Sequence, residues 1–159
     1  MFRMRPEVDD WFKHISNAGP LKTKFDLYYF CLMAGLCKGQ MVRLQNGQEF
    51  VDNFVGDYKP SQRLILGLFL IAEMSRLGIE LNDREEIRNL INKYFDPTTP
   101  SNLKNEGFAG LNDYANAGFN FIYENFPEPP RRVEDFIQWF VKNVSSQIAS
   151  SEIWSKAYI

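Results

Sequence analysis

The sequence predicts an all-α fold: a compact bundle of about six helices, with at most one small β-hairpin near residues 41–52. Two observations predict it. Apolar residues recur at three- and four-residue spacing through most of the chain, which is the period of a helix face. Prolines and capping residues open those stretches, while glycines or further prolines close them, as helix ends require.

The first helix starts at Pro6, a residue suited to the first helical turn, and runs through Trp11, Phe12 and Ile15 to a break at Gly19-Pro20. The second is capped by Thr23, with Asp26 three residues on as a carboxylate form of the capping box. It continues through Phe25, Tyr28, Tyr29, Leu32, Met33 and Leu36 to about Gly39. Apolar groups surround it on nearly every side, so it is expected at the centre of the bundle. Residues 40–55 break the pattern. Met41–Gln45 and Gln48–Asp52 flank Asn46-Gly47, the two-residue turn of a type I′ hairpin. Their alternation is imperfect, and an irregular loop is the other reading.

A third helix is expected from about Ser61 to Leu77, stopped by Gly78. A fourth, capped by Asn82 or Asp83, ends before Pro97 and carries Asp83, Glu85 and Glu86 in its first turn, where acidic groups favour the helix dipole. Thr98–Asn102 reads as the clearest linker. The fifth helix spans about Asn105–Asn125. Its Gly107, Gly110 and Gly118 each cost about 1 kcal/mol relative to alanine. With Ala115, they read as a surface for close helix approach. After the stiff Pro127–Pro130 turn, a sixth helix runs from about Arg131 to Ile148, with Val133, Phe136, Ile137, Phe140, Val141 and Val144 on one face.

The composition agrees. The chain has 159 residues, 45% hydrophobic and 24% charged, with 18 basic groups against 20 acidic ones. That is the profile of one folded domain, residues 1–159, and it excludes disorder and a uniformly basic nucleic-acid coat. The longest apolar run, Leu64–Ala72, is nine residues, well short of the roughly 20 that cross a bilayer. It reads as a buried helix, with no membrane role. Met1–Pro6 has two cations but no apolar stretch behind them, so no secretory signal is expected. Cys31 and Cys37, six residues apart on one helix, are separated by about 9 Å of rise and 240° of rotation. They read as buried thiols in a cytoplasmic protein.

Catalytic motifs are sparse. His14 is the only histidine, which excludes His-rich metal sites. Asp10 stands four residues before it, an arrangement that can orient an imidazole but is also common on solvated helix faces. The acidic trio Asp83, Glu85 and Glu86 is explained by its place at a helix start. The glycines match no phosphate-cradling loop. The expectation is a non-enzymatic protein with no metal and no cofactor.

Two features point to partners. Lys22 and Lys24 stand at the mouth of the second helix, and Arg131-Arg132 is the only adjacent basic pair. These four residues are candidate phosphate contacts, but affinity for nucleic acid grows with the number of phosphates neutralised. Two small patches imply a weak DNA-binding module, strengthened if dimeric. At the other end, residues 149–159 form an apolar tail in which Ile153, Trp154, Tyr158 and Ile159 are candidate anchors for a partner, a second copy or the chain's own core.

The segment Gly19–Leu27, a polar turn reading Lys-Thr-Lys-Phe-Asp, leads into an aliphatic and aromatic helix from Tyr28 that closes at Ala34-Gly35-Leu36 and Lys38-Gly39. It resembles the early helix of small accessory proteins associated with bacterial DNA phosphorothioation and related phage-defence gene clusters. The resemblance implies a bacterial cytoplasmic protein that works with larger defence proteins or on DNA. It transfers no functional residue. The expected function is that of an accessory or adaptor subunit acting through protein–protein contacts, with weak DNA binding as the alternative.

Overall fold

The capping signals place the central helix. In the computed structural model, which describes residues 1–16, 19 and 21–150 (side chains through 144), Thr23 Oγ1 accepts from the Asp26 amide. The Asp26 carboxylate in turn accepts from the Thr23 amide at 2.7 Å. This reciprocal box opens α2 (Lys24–Lys38), and Gly39 closes it in the left-handed conformation at φ 65°. The other elements are β1 (Phe2–Met4), α1 (Pro6–Trp11), β2 (Gln48–Val51), α3 (Gln62–Leu77), α4 (Arg84–Tyr94), α5 (Asn105–Asn125) and α6 (Val133–Ser150). Among the described residues the fold is mostly helical, with one two-stranded antiparallel sheet.

The core is the α2–α5 crossing. A Cβ added at Gly118 would lie 1.7 Å from the Cys31 carbonyl oxygen, and one at Gly35 would lie 1.8 Å from that of Tyr114. Only glycine permits backbones to approach this closely. The small residues of α5 therefore serve the close packing their spacing predicts. Aromatic rings fill the space on either side. Phe2 makes edge contacts with Phe25, Tyr28, Phe54 and Phe108, while Phe136 of α6 packs on Phe12, Phe30 and Phe126.

Four expectations need correction. The hairpin over 41–52 does not form. β2 is present, but it pairs with β1, in the register Arg3↔Glu49 and Met4↔Gln48. Residues 42–44 are held instead by α5: Val42 N–H donates to the Asp113 carbonyl, Leu44 N–H to the Asp113 carboxylate, and the Asn116 amide to the Val42 carbonyl. With their backbone groups already satisfied there, the edge of β2 is left for the N-terminal strand. The first helix is also shorter than expected. It ends at Trp11, and Phe12–Ser16 continue as turns that still bury Phe12 and Ile15.

Residues 98–102 are no linker. Asp96 accepts from the Thr98 amide, Asn102 adopts φ 57°, and the Phe95↔Leu103 bridge closes α4 onto α5. In α6, Phe136, Phe140 and Val144 are buried as expected, but Val141 is 57% exposed. The apolar tail residues Ile153, Trp154, Tyr158 and Ile159 lie outside the described residues.

Candidate functional site

The run expected to be a buried helix is buried on one side only. α3 directs Ile65, Leu66, Phe69, Ala72, Glu73 and Met74 inward. The opposite side carries Leu64, 64% exposed, with half-buried Gly67, Leu68 and Ile71. At its C-terminal end Gly78 takes φ 70°, and Ile79 N–H donates back to the Met74 carbonyl. This αL cap turns the chain sharply and throws Leu81, 79% exposed, beyond the helix. Between helix and turn lies an open groove of about 700 Å³ lined by Ile71, Met74, Ser75, Gly78, Ile79, Glu80, Leu81 and Asn82. Its walls are mainly apolar, and among the described residues Glu80 is their one charged group.

On the reverse side of this face, a carboxylate ties α3 to its neighbours. Glu73 is fully buried and accepts from the Tyr94 hydroxyl of α4 (2.7 Å), the Tyr114 hydroxyl of α5 (2.8 Å) and both arms of the Arg76 guanidinium (2.9 and 2.8 Å). Burial alone would raise its pKa, but these donors bring it below the ordinary value. The carboxylate is thus kept charged and saturated with donors, so it acts as a tie among three helices. Sequence reasoning missed it. Its only signal is a lone acid at the end of an apolar run, three residues before an arginine.

A second cavity is internal and small, about 10 Å³, lined in part by Arg5, Cys31, Asn112, Asn116 and Phe119. The Asn116 amide nitrogen is committed to the Val42 and Arg43 carbonyls, which fixes the orientation of the amide. Among the described residues, its buried Oδ1 and the Nε of Arg5 have no hydrogen-bond partner.

The residues singled out from sequence fall elsewhere. Lys22 and Lys24 are exposed at the start of α2, but Lys24 Nζ is paired with Asp9 at 2.9 Å. The Asp26 carboxylate already sits at this end of the helix, accepting from the Lys22 and Thr23 amides. Arg131 and Arg132 are exposed ahead of α6, and Arg132 lies 3.9 Å from Glu134. His14 is exposed in the turn after α1. Cys31 and Cys37 are free and buried. Burial pushes the Cys31 thiol up to about 12 and that of Cys37 to about 11, so neither forms a thiolate nucleophile near neutrality. Among the described residues, no group of three His, Cys, Asp or Glu side chains is placed to hold a metal. No helix there is long and apolar enough to cross a membrane.

Compared with known proteins, the chain matches no family model, no curated protein and no solved structure.

Proposed function

We propose that this chain is a non-enzymatic accessory or adaptor subunit of a bacterial multiprotein system, acting in the cytoplasm through contacts made by the exposed face of α3. The observation that supports it is the apolar surface running from Leu64 through Ile71 into the groove at Leu81. Contiguous apolar surface of this kind marks interaction sites. The groove is open and floored by a helix, which favours a protein segment with aliphatic anchors. The resemblance of residues 19–39 directs the search for the host system toward DNA modification or anti-phage defence. A role as a DNA-binding module has less support, because Lys24 and Arg132 sit beside carboxylates of the same chain.

The test is isolation of the native complex from the source cell with the wild-type chain and with a Leu64→Glu/Leu81→Lys variant. Both positions are exposed, so the variant should keep its fold and lose a partner present at fixed stoichiometry. The reading fails if the wild type is recovered without a partner, or if the variant retains the same one.

A further inference from the structure

The exposed face of α3 contains a glycine that no described residue packs against. Gly67 stands inside a helix of 16 residues, where glycine costs about 1 kcal/mol relative to alanine. Elsewhere that cost accompanies close contact: Gly35, Gly107, Gly110 and Gly118 each leave no room for a Cβ. Among the described residues, an added Cβ at Gly67 would meet nothing within 4 Å. At 100° per residue, Gly67 shares an arc of about 100° with Leu64, Leu68, Ile71, Ser75 and Gly78, a stripe about 21 Å long. Aliphatic side chains dominate its first half, and small residues its second.

The two ends of the stripe differ in charge as well. Exposed Lys59 and Arg63, against Asp57, stand at the N-terminal end. Exposed Glu80, Asp83, Glu85 and Glu86 stand at the C-terminal end, against Arg84 and Arg76, the latter neutralised by its pairing with buried Glu73.

We propose that this face is covered by α3 of a second copy of the chain, antiparallel, about a two-fold axis near Ile71. The proposal rests on reading the face as a contact surface, and it names the occupant. The pairing sets Leu64 of each copy over Gly78 and the groove of the other, and brings Gly67 against Ser75, where the backbones approach. The same operation sets the basic end, Lys59 and Arg63, against the acidic end, Glu80 and Asp83. An isologous interface requires this self-complementarity, and the parallel arrangement would oppose like charges. The face is small, so the dimer belongs among weak interfaces at the low end of the size range.

Sedimentation of the full chain from about 1 to 500 µM tests the proposal, since weak interfaces dissociate in that range. A monomer–dimer equilibrium that weakens with salt is expected. Arg63→Glu and Glu80→Arg should each weaken it about tenfold, and the double reversal should restore it, because coupled charges recover when exchanged together. Leu64→Glu and Gly67→Leu should abolish dimerisation while leaving the circular dichroism spectrum unchanged. A chain that stays monomeric throughout, or a dimer indifferent to Leu64→Glu, overturns the proposal. So does a double reversal no tighter than the single variants. The two readings separate cleanly. A monomer that still loses a heterologous partner on Leu64→Glu removes only the second copy as occupant. A charge-reversible dimer with no such partner removes only the adaptor role.

Discussion

At the residue scale, the structure is governed by where buried polar groups find partners. Glu73 is the clearest case, because one carboxylate receives donors from α3, α4 and α5. Removing a donor should therefore cost more when that donor carries the compensating charge. Arg76→Leu is expected to destabilise by about 3 kcal/mol, the low end for an uncompensated buried charge since Arg76 is itself half-exposed. Tyr94→Phe should cost only about 1 kcal/mol. Urea denaturation of both variants checks the order, and equal losses would mean that the carboxylate is not held charged. The internal cavity poses the complementary case. Arg5 Nε supplies a donor and Asn116 Oδ1 an acceptor, and the space of about 10 Å³ is the size of one water. A high-resolution crystal structure should show a single ordered water bridging them, and continuous protein contact at that position would contradict this.

At the element scale, glycine decides how closely helices approach, and the sign of its replacement depends on what stands above it. Gly118→Ala should destabilise the chain by about 3 kcal/mol, because the Cys31 carbonyl must move to admit the methyl group. Gly67→Ala should instead stabilise the monomer by up to about 1 kcal/mol, since no described residue stands within 4 Å of the new Cβ. Thermal melts at the lowest workable concentration separate the two, and a shift of the same sign in both would refute the distinction.

This sensitivity to local chemistry is also why much of the fold could be read in advance. The Thr23–Asp26 box, Gly39 and Gly78 set helix ends through bonds within a few residues, so α2 and α3 are legible without knowledge of the tertiary structure. The β1–β2 pairing is not. It joins residues 2–4 to 48–51, and it became available only because Asp113 and Asn116, far along the chain, captured residues 42–44. The candidate groove was hidden for the same reason. The run Leu64–Ala72 shows that a helix is apolar all round, but which of its sides lacks a neighbour depends on how α4 and α5 pack. The Glu73 network was hidden because Tyr94 and Tyr114 are distant in sequence and look like ordinary core aromatics.

At the scale of the whole molecule, two carboxylates with depressed pKa values join separate elements, and this couples stability to acid. Asp26 caps α2 and also accepts from the Tyr58 hydroxyl at 2.5 Å, tying the helix to the turn that precedes α3. Glu73 ties α3 to α4 and α5. For each, burial acts to raise the pKa, but the donors outweigh it and the folded value lies below the ordinary one. A depressed folded pKa means that the unfolded chain takes up protons first as acid is added. The stabilisation is thus complete above the unfolded values, roughly 4, and is lost as pH falls through the folded values. Asp113 opposes this, because burial raises its pKa, and a group of that kind gains on protonation. Asp96, which accepts from Thr98, is depressed as well. Of the four shifted carboxylates among the described residues only Asp113 opposes the trend, so the melting temperature should hold between pH 7 and 5 and fall below about 4. Glu73→Gln should melt lower than wild type at pH 7, yet lose less on acidification, so that the two curves converge toward pH 3. Parallel curves would show that Glu73 is no source of the acid sensitivity. Because ion pairs across a dimer would add their own pH dependence, the comparison belongs at protein concentrations where sedimentation shows monomer alone.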